Sequence, residues 1–275
     1  MSVGSGEHFR RESWIERSVA RLRGAGRRQA PRALRRVHEW VLDHLPGDHL
    51  ISTLPGGERV RLYARYRQLS WNPLEYEAFR AAVAPGATVL DVGANLGAYT
   101  LLFATWTGPG GRVIAFEPAP QAANGLRRQL VLNELDDRVE VVQTAVADRI
   151  GSAPFVSEGA SGANQLAPGA ADQRAITVPT TTIDAFCEAR GVRPDVIKID
   201  VEGAELDVLR GARRTLARPG VRAFLELHPA AWAARGVTQH DIVEELSAQQ
   251  LVPEPLDPSI DIWRTEGIAV RLRRA

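Results

Sequence analysis

Along this chain, apolar residues switch between the three-to-four spacing of amphipathic helices and short unbroken runs typical of buried strands, and that alternation predicts the architecture. Between 10 and 41, Trp14, Ile15, Val19, Leu22, Leu34, Val37, Trp40 and Val41 recur at helical spacing among arginines. Breaks near Gly24, Gly26 and Pro31 divide them into two amphipathic helices. From 48 to 69, Ile51, Leu54, Val60, Leu62 and Tyr63 alternate around Gly56 and Gly57, as in a hairpin. A helix over 72–83 carries Leu74, Tyr76, Phe79 and Val83 on its buried side and is closed by Pro85 and Gly86. Beyond it, strands at 88–92, 112–118, 139–143, 194–200 and 221–229 are interleaved with helices, among them 119–135 and one opened by Thr180, Thr181 and Thr182. The tail adds a helix at 238–249 and strands around 260–264 and 267–272. Four strand–helix alternations predict a doubly wound α/β sheet. The boundary falls near 70, leaving 1–70 as an arm or lid with a small hairpin and 71–275 as the main domain. Residues 151–174, rich in Gly, Ala and Ser, show no period and read equally as a substrate-gating loop or a surface connection.

Composition narrows the class. With 275 residues, 44% of them hydrophobic, the chain can build one large domain with an appendage. It has no run of eighteen apolar residues, and its first residues lack the apolar core of a signal peptide, so a cytoplasmic protein with no membrane partner is expected. The lone Cys187 excludes an internal disulfide and reads as a small buried hydrophobe. A net charge of +1 argues against general nucleic-acid affinity. Arginines do crowd residues 10–36, where only Glu12 and Glu16 oppose them. The plainest account is the solvated face of a lid or of an arm that joins copies into a homo-oligomer; contact with nucleic acid, an anionic lipid surface or an acidic carrier protein is the weaker one. Lys198 is the single lysine of a chain with 34 Lys and Arg, which points to coding bias rather than selection for guanidinium.

Candidate chemistry begins where strand 88–92 meets its helix. Asp91, Gly93, Asn95 and Gly97 form an acidic, glycine-bearing turn, suited to a tight bend with close approach to a ligand at a helix N-terminus. Asn95 stands where a dinucleotide fingerprint needs its middle glycine, so pyrophosphate is disfavoured. The pattern resembles motif I of S-adenosylmethionine-dependent methyltransferases. About twenty residues past Gly97, Glu117 ends the next strand, placed to accept both hydroxyls of a ribose, and Pro118 stops the strand there. The turn at 145–148 could flank an adenine.

Two further motifs complete the set: Lys198, Asp200, Glu202, Gly203 and Glu205 at one strand–helix junction, and Glu226, His228 and Pro229 at the next strand end. Together with the Asp91–Asn95 turn and Phe116-Glu117-Pro118, they closely resemble the FkbM-type family of S-adenosylmethionine-dependent methyltransferases, in order, from about Leu74 to Pro229. The resemblance implies a class I methyltransferase (Rossmann-like) fold, with a mostly parallel seven-stranded sheet, a final antiparallel pair and here an N-terminal helical extension. It implies O-methylation of a small hydroxyl-bearing acceptor such as a sugar, polyketide or other secondary metabolite. Cofactor contacts are expected from Asp91, Gly93, Ala94, Asn95, Gly97, Tyr99, Thr100, Glu117, Pro118, Ala145 and Asp200.

For catalysis, His228 is the expected base because an unperturbed imidazole titrates near neutrality, with Glu226 orienting it and Asp200 beside them. Asp200, Glu226 and His228 are equally a candidate Mg2+ site. Glu202 and Glu205 either join that site or cap a helix, the latter being favoured for Glu205; Lys198 neutralises a buried acid. Two rival classes remain. An NAD(P)- or nucleotide-sugar-binding oxidoreductase suffers from the missing glycine and from the absence of any Tyr-x-x-x-Lys pair. A non-catalytic S-adenosylmethionine-binding protein would leave Glu226 and His228 idle.

Overall fold

The computed structural model describes residues 49–67, 69–156, 165–166 and 175–275, so the helices read between 10 and 41, with any arm they form, lie outside the described residues. The chain divides into two compact units, 1–69 and 70–275. In the first, β1 (His49–Thr53) pairs antiparallel with β2 (Arg59–Tyr63), Leu50 opposite Leu62 and Ser52 opposite Val60. Gly57, at φ +86°, closes the turn by donating to the Leu54 carbonyl.

The second unit opens with α1 (Pro73–Ala82), started by Pro73 and capped by Asn72, whose side chain accepts from the Leu74 N–H at 2.9 Å. Tyr76, Phe79 and Val83 are buried as expected, but Leu74 is 40% exposed and its place on the buried side is taken by Glu75 and Ala82. Helical geometry explains the shift, since Glu75, Phe79 and Ala82 fall at i, i+4 and i+7. Phe79 meets Tyr99, Phe103 and Phe224 at ring-centroid distances of 4.9, 5.7 and 4.8 Å, which seats α1 on the sheet.

The chain then alternates between strand and helix: β3 (Thr88–Val92), α2 (Ala98–Thr107), β4 (Arg112–Phe116), α3 (Pro120–Leu132), β5 (Val139–Val142), and, after an excursion, α4 (Ile183–Arg190), β10 (Val196–Ile199), the short α5 (Glu205–Arg210) and α6 (Arg213–Leu216), and β11 (Arg222–Leu227). α7 (Pro229–Ala234), α8 (Gln239–Ala248), β12 (Leu251–Pro255) and β13 (Ile268–Arg274) complete it. The seven-stranded sheet has the order β12-β13-β11-β10-β3-β4-β5, with β13 alone antiparallel to its neighbours. Val89, Leu90, Val113, Ile114, Val196, Ile197 and Leu225 are at most 1% exposed, because helices cover both faces. From β3 the chain steps out to β4 and β5, then returns to β10 on the other flank of β3. The winding therefore reverses between β3 and β10, and ligands of open α/β sheets bind at the carboxyl ends of the strands at such a switch point.

Two expectations change. The strand read at 260–264 is a run of turns, in which Ile260 donates to Asp257 and Arg264 to Asp261; the partner of β13 is β12 instead. Pro253 and Pro255 hide β12 from a sequence reading, and its edge position is what tolerates them. The aperiodic stretch 151–174 is also not simply a loop. β7 (Gly151–Val156), β8 (Gln165–Leu166), β9 (Ala175–Thr181) and β6 (Ala145–Val146), which lies within the turn read at 145–148, form a second sheet of order β6-β9-β7-β8.

The helix termini follow their sequence signals. Thr182 caps α4 through the Ala185 N–H, and Thr238 with Asp241 forms a capping box on α8. Replacing Phe79 with Ala should cost about 3–5 kcal/mol of unfolding free energy, read by denaturant melts, since it removes the ring joining α1, α2 and the sheet.

Candidate active site at the carboxyl rim of the sheet

The turn after β3 is held by backbone contacts that leave room for glycine only. At Gly93, φ is +84° and a Cβ would sit 1.7 Å from the Asp200 carbonyl oxygen, so the loops after β3 and β10 touch there. Gly97 sits at φ +87°, where a side chain is strained, and a Cβ would also press within 2.3 Å of the Leu126 Cδ1 methyl. The N–H groups of Gly93 and Ala94 both donate to the Phe116 carbonyl at 3.0 Å, and that of Asn95 to Glu117 Oε2 at 2.8 Å. Three consecutive donors of the turn are thereby committed, which removes the anion cradle a pyrophosphate would need.

Glu117, 3% exposed, accepts from Asn95 N through one oxygen and from Ala119 N through the other, both at 2.8 Å. Burial outweighs these bonds and pushes its carboxyl up from 4.5 to about 7. A pocket of about 580 Å³, open to solvent, lies over it. Of the residues expected to meet a cofactor, Gly93, Asn95, Glu117, Pro118, Ala145 and Asp200 line this pocket, joined by Phe116, Val146, Phe155, Val201 and Glu202. Asp91, Ala94, Gly97, Tyr99 and Thr100 are not among the lining residues. Asp91 instead lies beneath the turn, 1% exposed: one carboxylate oxygen takes the Thr100 hydroxyl proton at 2.5 Å, and the other has no hydrogen-bond partner, with the Lys198 ammonium 4.0 Å away. Phe155 escaped notice because β7 begins in the stretch that has no period.

Around the corner lies a cluster of acids. Lys198, 4% exposed, donates to Asp200 Oδ2 at 2.9 Å; burial opposes its charge, but Asp200, Asp91 and Glu226 together raise its pKa. Lys198 thus neutralises buried acids, in line with the reading of its sequence position. His228 follows β11 directly. Its Nδ1 lies 2.7 Å from Glu205 Oε1, while Nε2 faces Glu202, Glu226 and Asp200 oxygens at 3.6, 3.6 and 3.8 Å. Burial opposes the imidazolium, yet the bonds to Glu205 and Glu226 and the charge of Asp200 push it up to about 11. The neutral-range imidazole expected as a base is therefore a cation in this arrangement, and the residue holding Nδ1 is Glu205 rather than Glu226. Asp200 is held below the usual carboxylate range: burial raises it, but Lys198 and His228 prevail.

One other residue went unnoticed in the sequence. Glu75, 5% exposed, bonds Tyr99 and senses Glu226, Lys198 and Asp200; burial lifts it to about 7. The Tyr99 ring lies 5.5 Å from the Lys198 ammonium, and its hydroxyl accepts from Asn72 N at 3.1 Å. The signal for Glu75 was its place on the Phe79 stripe of α1. Glu202 was noted only as an option; its φ of +49° is unusual for a side chain of its length, and its carboxylate faces His228.

A doubly wound seven-stranded sheet with one antiparallel strand near its end, an acid after β4 and a pocket over the β3 turn define the class I methyltransferase fold. Residues 91–251, more than half of the chain, match the family described as the Methyltransferase FkbM domain, and the chain belongs to that family. Among curated relatives, 2-O-methyltransferase NoeI of Sinorhizobium fredii is 29% identical over 151 residues, covering 49% of this chain and 60% of that protein. Hexuronic acid methyltransferase AglP of Haloferax volcanii is 28% identical over 171 residues, covering 60% and 63%. The chain thus spans less than two thirds of either relative. A solved FkbM methyltransferase from Methylobacillus flagellatus shares 18% identity over 72% of this chain and 50% of its own, with a TM-score of 0.45. Among the described residues, no helix is long and apolar enough to cross a membrane.

Glu75 and Glu117 shape the pH response of the protein, and His228, whose pKa is raised from 6.5 to about 11, adds loss of the same sign above 6.5. The two acids titrate at about 7 when folded against 4.5 ordinarily, so the stability they favour is complete below 4.5 and fades as pH rises through 7. Thermal melts should fall between about pH 5 and pH 8, each acid contributing up to about 3 kcal/mol; melts that rise over that span would contradict the assignment. Gly93→Ala should destabilise by several kcal/mol, on the order of 3 or more, in denaturant titrations, since neither the φ nor the Asp200 carbonyl can yield cheaply.

Proposed function

We propose that the chain is an S-adenosylmethionine-dependent methyltransferase acting on a hydroxyl of a small molecule, such as a sugar, a polyketide or another secondary metabolite. The observation that carries this is the anchored Glu117 carboxylate, set into a pocket walled by Phe116, Val146 and Phe155, beside a turn whose N–H groups are already spent. The residues fit the cofactor. A carboxylate suits ribose hydroxyls, the apolar walls suit an adenine, and among the described residues no lysine or arginine lines the pocket to meet a phosphate. Ala145 closes the adenine side and Gly93 lets the ligand approach the backbone, while Asp91, Tyr99 and Thr100 support from below.

When bound, the cofactor supplies a methyl group on a positively charged sulfur; the hydroxyl oxygen of the acceptor forms the new C–O bond as the C–S pair returns to sulfur. The chain must hold that oxygen in line and take its proton. Asp200 and Glu226 face the same space as His228 Nε2, so in this reading a carboxylate accepts the proton while the charged imidazolium steadies the surrounding acids. A base role for His228 requires that the ring first lose its Nε2 proton.

A divalent cation is the second reading, favoured by one observation: Asp200, Glu226 and His228 each offer a donor atom, and these atoms lie within 4.8 Å of one another. Mg2+ there would stand in place of the Nε2 proton and polarise the hydroxyl, although one nitrogen among the donors suits Mn2+ equally well. The relative named as a 2-O-methyltransferase supports a hydroxyl acceptor, and the one named for hexuronic acid supports a sugar acid among the candidates.

Calorimetry with S-adenosylhomocysteine tests the reading. Micromolar binding is expected, weakened on the order of 100-fold by Glu117→Ala, which removes two charge-assisted hydrogen bonds. NAD should not bind, and tight NAD binding would overturn the class. Glu226→Gln and His228→Asn should keep cofactor affinity within about threefold yet abolish transfer of labelled methyl to a panel of sugars and polyketides, with and without Mg2+; full turnover by both variants would leave a non-catalytic binder as the better account.

A further inference from the structure

We infer that Glu205 is the positioning residue of this site, fixing the His228 ring so that Nδ1–H points into the protein and Nε2 alone faces the acids and the acceptor. The inference rests on the methyltransferase reading for its purpose, but not for its geometry. Glu205 is fully buried, and three donors meet on its carboxylate: Gly203 N at 2.9 Å and His228 Nδ1 at 2.7 Å on Oε1, and Trp232 Nε1 at 2.7 Å on Oε2. Because Oε1 is an acceptor already oriented by a backbone N–H, the imidazole nitrogen opposite it must carry a proton, in the imidazolium and in the neutral ring alike.

The arrangement joins three pieces of chain. Glu205 opens α5, His228 lies between β11 and α7, and Trp232 lies in α7, so one carboxylate ties the β11–α7 corner to the loop after β10. Gly203, at φ +101°, makes this possible, since a Cβ there would come within 2.7 Å of the Ala231 methyl. On the far side of the ring, among the described residues, the Glu202, Glu226 and Asp200 oxygens lie 3.6, 3.6 and 3.8 Å from Nε2. With Nδ1 taken by Glu205, Nε2 is the ring nitrogen left on the side of the acid cluster to meet an acceptor hydroxyl. Carboxylates that orient an imidazole from behind are worth 10- to 100-fold in activity or metal affinity elsewhere.

The test is nitrogen-15 NMR of the full chain labelled at histidine, with His228 assigned by its absence in His228→Asn. At neutral pH the wild type should show a protonated Nδ1 with a slowly exchanging, far-downfield proton. An unprotonated Nδ1 overturns the inference, and this reading needs no variant to fold. In Glu205→Gln that proton should exchange rapidly, with S-adenosylhomocysteine affinity within about twofold of wild type and, on an acceptor from the panel above, kcat down 10- to 100-fold while KM changes little. An unchanged His228 signal in folded Glu205→Gln also overturns it. Failure of the wild type to bind S-adenosylhomocysteine sinks the methyltransferase reading instead, and leaves the NMR result to stand on its own.

Discussion

The site depends on one close approach, the backbone of Gly93 against the carbonyl of Asp200. Two loops that follow neighbouring parallel strands normally splay apart at a switch point. Here they touch, with Asp200 N donating to Val92 O at 2.9 Å just below. That contact fixes the distance between the nucleoside side of the crevice, where Glu117 sits, and the side where Asp200, Glu226 and His228 converge. A single Cβ at position 93 would force the two sides apart.

Gathering so many carboxylates at one rim carries an electrostatic cost, met by three devices that keep the cluster folded. Lys198 places its ammonium between Asp200 and Asp91. His228 rests as a cation among its neighbours. Glu75 and Glu117 respond by holding a proton up to about neutrality, because burial disfavours their charge. Removing water strengthens every remaining interaction in the crevice, which is also what an in-line displacement at carbon requires of its surroundings. Strain collects here too. Asn95 and Glu202, both with positive φ and both at the pocket, are held by their surroundings against their own backbone preference.

Much of this was legible in the chain because local rules governed it. Gly93 and Gly97 had to be glycine, Pro118 had to end a strand, and Thr182 and Thr238 had to begin helices. Each of these is a backbone requirement that a few neighbouring residues declare. The doubly wound sheet followed from apolar runs alternating with helical spacing. What stayed hidden had a physical reason in each case. Pro253 and Pro255 mask β12, which survives only because it is an edge. Phe155 lies where Gly, Ala and Ser erase the period. Glu75 passed without remark because a carboxylate carries no apolar signal, although its spacing from Phe79 put it in the core.

The sequence alone therefore determined the alternation of the main parallel strands with helices, the glycine turns and the set of acids available at strand ends, since these depend on contacts within a few residues. Only the tertiary structure decided which acid holds which partner. Glu205 rather than Glu226 takes His228 Nδ1, Asp91 goes beneath the turn to Thr100, and the imidazole becomes a cation. Those outcomes depend on distances between residues far apart in the chain and on how deeply each is buried, and a pattern along one dimension carries neither.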